Sequence, residues 1–100
     1  MANFKDDIVD AVDNDKILSV YIFKMEDDDD YDRFCAANIV ANRLVSYEEA
    51  LKVLNYDYND GYGGQDCHDI LMWSAERVYY VHEYDGATCI RHRPRNPIKN

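Results

Sequence analysis

Apolar positions along this chain change their spacing several times, and each change marks an element. Phe4, Ile8, Val9 and Val12 recur at helical intervals behind Asn3, a residue suited to accept an unpaired backbone N–H at a helix start. Asp6, Asp7, Asp10 and Asp13 take the opposite face, and Asn14-Asp15 ends the helix. From Ile17 to Met25 nearly every position is apolar or aromatic, which predicts a strand buried on both faces. Glu26 to Asp30 is an acidic run that must turn in solvent.

Residues 31–45 carry two patterns. Phe34, Ala37, Val40, Ala41 and Leu44 form a helical stripe, yet the same residues could pair with the first strand as a hairpin. The alanines favour the helix. Ser46 and Glu49 then make a capping box, in which each side chain satisfies the other's backbone N–H. Tyr47, Ala50, Leu51 and Leu54 follow as one apolar stripe, and Glu48 pairs with Lys52 across one turn. Beyond Asn55 the pattern gives way to a loop, residues 56–65, that holds three of the chain's four glycines.

The remaining pattern has period two. Ile70 to Ser74, Arg77 to Tyr84 and Thr88 to Arg93 read as three strands, turned at Ala75-Glu76 and Asp85-Gly86. Val78, Tyr80, His82 and Tyr84 share one face, and Tyr79, Val81 and Glu83 share the other. Pro94 and Pro97 end the sheet. The predicted class is α+β: an antiparallel sheet, made of the C-terminal three-strand meander and an earlier strand, with two or three helices packed on one face. One hundred residues form a single domain with a small core.

Composition adds a direction. Net charge is -9, and residues 1–32 hold eleven acids against three bases, so the front third carries nearly all of it. An acidic surface repels phosphates and anionic lipid and attracts cationic protein surfaces. No apolar run reaches the roughly 18 residues of a membrane span and no signal-peptide layout opens the chain, so the expected location is cytoplasmic. Cys35, Cys67 and Cys89 are odd in number and widely spaced, which predicts reduced, packed thiols.

Chemistry is weakly signalled. Asp66-Cys67-His68-Asp69, with Cys89, His82 and His92 on nearby strands, gathers metal-ligand types but lacks the paired spacing of structural zinc sites. Adjacent Cys67 and His68 on an extended segment point to opposite faces, which argues against a nucleophile–base pair. Gly61-Tyr-Gly-Gly lacks the rest of a phosphate-binding loop. Neither a catalytic residue set nor a cofactor is predicted. Arg91, Arg93, Arg95 and Lys99 are too few to draw nucleic acid against the net charge, and they suit a solvated edge strand.

Two stretches stand out for binding. Asp27, Asp28, Asp29, Asp30 and Asp32 could occupy the basic groove of a nucleic-acid-handling protein, or simply keep the surface solvated. Tyr56, Tyr58 and Tyr62 have the composition of a contact loop, or else cap the edge of the core. The predicted function is therefore a non-enzymatic acidic protein that covers a basic partner. The alternatives are a homo-oligomer formed through Tyr79, Val81 and the open sheet face, and a zinc enzyme using Cys67 or His68.

The capped helix, Tyr58-Asn-Asp-Gly-Tyr-Gly-Gly-Gln65 and His82-Glu-Tyr-Asp-Gly-Ala-Thr88 resemble small bacteriophage-encoded proteins over about the second half of the chain. In size and acidity the chain also resembles, in type, phage inhibitors of host defence such as DNA mimics and anti-CRISPR proteins. That resemblance implies an inhibitor working in host cytoplasm, and it transfers no site residues.

Overall fold

In a computed structural model, described for residues 2–25, 31–61, 66–84 and 87–95, the element order is β1 (Ala2–Asn3), α1 (Phe4–Val12), β2 (Ser19–Ile22), α2 (Tyr31–Ile39), β3 (Leu44–Val45), α3 (Tyr47–Val53), β4 (Asp57–Tyr58), β5 (Ile70–Trp73), β6 (Arg77–Tyr84) and β7 (Ala87–Pro94). β3-β2-β5-β6-β7 form one antiparallel sheet and β1-β4 a second, two-stranded one. The α+β class and the C-terminal meander are as the periodicity predicts. No described helix is long and apolar enough to cross a membrane.

The helix starts follow from their caps. Asn3 accepts the Asp6 N–H at 3.0 Å, and Ser46 Oγ accepts the Glu49 N–H at 3.1 Å. α1 buries Phe4, Ile8 and Val12 and leaves Val9 at 41% exposure. Residues 31–45 resolve into both of their patterns in succession. α2 takes 31–39, and Asn42, at φ 63°, turns the chain so that Leu44 and Val45 pair with Tyr21 and Val20. Asn is among the few residues that adopt that left-handed angle readily, and its Oδ1 also reaches across to accept the Lys24 N–H at 3.4 Å.

Register divides the sheet into unlike faces. One face carries Val20, Ile22, Ile70, Met72 and Tyr79, all buried in a core shared with Phe4, Ile8, Phe34 and Leu54. The other aligns Leu44, Tyr21, Leu71, Tyr80 and Arg91 in one row and Ser19, Trp73, Val78 and Arg93 in the next. None of these is buried. The expectation of a first strand covered on both sides is thus corrected: Leu18 and Phe23 are 53% and 41% exposed, and Tyr21 packs edge-on against Phe23 at 4.9 Å between ring centres. Tyr79 is corrected too. It is 1% exposed and lies on the core face, so it cannot sit at a contact between copies.

β7 is an edge strand. Thr88 turns its N–H outward to the Asp60 carbonyl at 2.8 Å. Counting by two from there, Pro94 falls at an outward position, where it removes no ladder bond.

Candidate functional site

Segment 56–60 supplies two different polar environments. Tyr56 and Tyr58 are two residues apart on extended backbone, so both point inward while Asp57 and Asn59 face solvent. Phe4 touches both rings, at 5.6 Å from Tyr56 and 5.2 Å from Tyr58. With Tyr56 at 7% and Tyr58 at 1% exposure, neither is a partner-facing anchor, and they close the core edge instead. Burial is reached because β4 pairs with β1, Ala2 opposite Tyr58, and because the Phe4 N–H bonds the Tyr56 carbonyl at 2.9 Å.

The first environment is a network centred on His68, which is fully buried. Asn38 Nδ2 donates to the Met25 carbonyl at 3.0 Å and its Oδ1 accepts the Met25 N–H at 2.9 Å, which fixes the amide's orientation. Oδ1 lies 2.8 Å from His68 Nε2, so that nitrogen must carry the ring proton and donate. Nδ1 is then an acceptor, and it takes the Tyr56 hydroxyl proton at 2.7 Å. Tyr56 Oη in turn accepts the His68 backbone N–H at 2.9 Å. Burial holds the imidazole neutral by pulling its pKa down to about 4, with Asp69 opposing.

Neighbouring Cys67 is 1% exposed, and burial, aided by the charges of Asp69 and Asp66, pushes its thiol up to about 12. It is a packed thiol, as predicted, whereas Cys35 is half-buried and Cys89 exposed. Both His68 ring nitrogens are engaged, which leaves no lone pair for zinc. Among the described residues no cluster of His, Cys, Asp or Glu is placed to hold a metal ion.

The second environment is an open groove between α1 and the edge of β7. Asp7, Asp10 and Ala11 form one wall, Thr88, Cys89 and Ile90 the other, with Tyr58 and Asp60 between them. Tyr58 donates its hydroxyl to Asp7 Oδ2 at 2.5 Å, and burial, with that bond and the Asp7 charge, raises the phenol's pKa. Asp6, Asp10, Asp13, Asp57 and Asp60 are exposed. Asp15, by contrast, is used internally. It accepts the Tyr79 hydroxyl at 2.8 Å and stands 3.7 Å from Arg77, and hydrogen bonds from Ser74 and Tyr79 lower its pKa.

Of the residues predicted to meet a partner, Asp27, Asp28, Asp29, Asp30 and Tyr62 lie outside the described residues, as does the Asp32 side chain on α2. Asp60 and Thr88 escaped the sequence reading because only the strand register brings them beside α1. Asp7 and Asp10 were visible as neighbours one helical turn apart. No family model matches this chain, nor does any curated protein or solved structure.

Proposed function

We propose that this protein acts by binding, as a small acidic inhibitor that covers the basic, nucleic-acid-binding surface of another protein. The observation that carries this reading is the segregation of charge. α1 presents Asp6, Asp10 and Asp13 to solvent beside Asp57 and Asp60, whereas Arg91 and Arg93 belong to the opposite face of the sheet. The acidic run Asp27 to Asp30 adds to the same imbalance in sequence. Carboxylates grouped this way steer a cationic partner and make association steeply dependent on salt.

Capture from bacterial lysate at low and high salt tests it. Nucleic-acid-binding proteins should be retained at low salt, released at high salt, and lost when Asp27, Asp28, Asp29 and Asp30 are changed to Asn. Retention that ignores both salt and this substitution overturns the reading.

A second reading has its own observation. Tyr21, Phe23, Leu44, Leu71 and Trp73 leave an apolar sheet face without a covering layer among the described residues, which suits contact between copies. Light scattering that finds a stable, salt-insensitive oligomer would favour it.

A further inference from the structure

β5 and β6 part before both strands are finished. Their last pair at one end is Leu71 with Tyr80, yet β6 runs on to Tyr84 with β7 along its other side. The Thr88 N–H turns away from β6, so Glu83, which stands opposite it, aims its own N–H and C=O away from β7 and into the parting. Counting on in register, the residue that would answer Glu83 is His68. Its backbone N–H is already given to the Tyr56 hydroxyl and it is fully buried, so the chain enters β5 from inside the core. Among the described residues Glu83 therefore has no backbone partner on that side. The buried network leaves an open strand edge within the sheet.

A pocket lies at the same place. Phe23, Ile70, Leu71, Tyr80 and Val81 line it together with Asp69. The lining is thus mostly apolar, while Asp69 within it and Glu83 beyond Val81 are exposed carboxylates. Arg91 and Arg93 belong to β7, with β6 between them and the notch. An open strand edge pairs readily with an extended chain, and a pocket beside it selects the side chain that the chain brings. Carboxylates on both strands favour a basic one, whose methylene stem lies on apolar surface while its charge stays in solvent.

We propose that this notch takes an extended, basic segment of a protein partner as an added strand beside β6. The segment pairs its backbone with the Glu83 N–H and C=O, and one basic side chain lies in the pocket with its stem against Phe23 and Leu71 and its charge toward Asp69. This rests on the function proposed above and names the form in which a basic partner is held. His68 and Tyr56 act at a distance here, by keeping the place opposite Glu83 vacant.

The test is an amide-resolved NMR titration of the full chain with the peptide acetyl-Lys-Val-Lys-Val-Lys-amide. The comparison probes are the same peptide with every backbone amide N-methylated, and the same peptide with Glu in place of Lys. The basic peptide should produce saturable shifts at Leu71, Val81 and Glu83 and slow hydrogen exchange at the Glu83 amide. The N-methylated peptide should bind about tenfold more weakly, and the acidic one should not saturate. Glu83→Pro removes the N–H that faces the notch without removing a bond to β7, and should weaken the basic peptide about tenfold relative to Glu83→Gln, which loses only the charge. The N-methylated probe acts on unmodified protein, so the test stays decisive should proline disturb the strand. Equal binding of that probe overturns strand pairing, equal binding of the acidic peptide overturns the basic segment, and shifts confined to α1 or scattered over the surface overturn the notch. Lysate capture repeated with Glu83→Pro separates the two proposals. Salt-sensitive capture that this variant leaves intact sinks the notch and keeps the acidic inhibitor. A notch that binds the peptide in a chain that captures no nucleic-acid-binding protein sinks that reading and keeps the notch.

Discussion

Tyr56 and Tyr58 are two residues apart and share Phe4 as a neighbour, yet they serve opposite kinds of polar site. Around Tyr56 the His68 and Asn38 groups described above are matched donor to acceptor, with Tyr56 and His68 buried and Asn38 half-buried. Around Tyr58 the acceptors outnumber the donors, and the buried Thr88 hydroxyl has no hydrogen-bond partner among the described residues. A closed polar cluster fixes the structure, while an open one with surplus acceptors keeps capacity for something else. Five substitutions and a pH series probe that contrast.

Phe4→Ala removes the ring common to both sites and should have the largest effect, a loss of about 3–5 kcal/mol in urea unfolding. Acid acts on the closed site through His68. His68 titrates near 4 when folded and near 6.5 when not, so below pH 6.5 the unfolded chain binds a proton that the folded chain refuses. Stability should fall as pH drops through that window, by about 3 kcal/mol at pH 4, and His68→Gln should flatten this part of the profile. Persistence of the same slope in that variant would place the titration elsewhere.

Deleting single hydroxyls sharpens the contrast. Tyr56→Phe strands both the Nδ1 and the backbone N–H of buried His68, and should cost about 3 kcal/mol. Tyr58→Phe removes a bond to Asp7, which is only half-buried and can take up water, so about 1 kcal/mol is expected. Equal losses from the two would mean that the sites are alike after all. The smallest effect carries the opposite sign. Thr88→Val deletes an unsatisfied hydroxyl and should leave stability unchanged or raise it by up to about 1 kcal/mol, as measured by the unfolding midpoint.

Much of the scaffold was legible where one local rule acted alone. Asn3 and Ser46 cap as their positions predict, and the period-two runs gave the three C-terminal strands. Legibility failed where a partner remote in sequence decides. β1 and β4 are two residues each and exist through one another, so neither has a run long enough to read, although the alternation Tyr56-Asp57-Tyr58-Asn59 held a trace of it. An apolar stretch at 17–25 implied cover on both sides, but the helices are confined to one face and Tyr21 and Phe23 lean on each other instead. Within the groove, Asp7 and Asp10 followed from helical spacing. Thr88 and Asp60 depended on which strand became the sheet's edge, and composition does not encode that.

Trp73 gives the molecule an internal signal for telling its surfaces apart. It is the chain's one tryptophan, and it sits half-buried in the uncovered row of the sheet, across the strands from the groove. Its emission should move toward the blue when a second copy or another protein lies over that row. A ligand seated against α1 should leave the colour as it was, so unmodified protein can report which surface has been occupied.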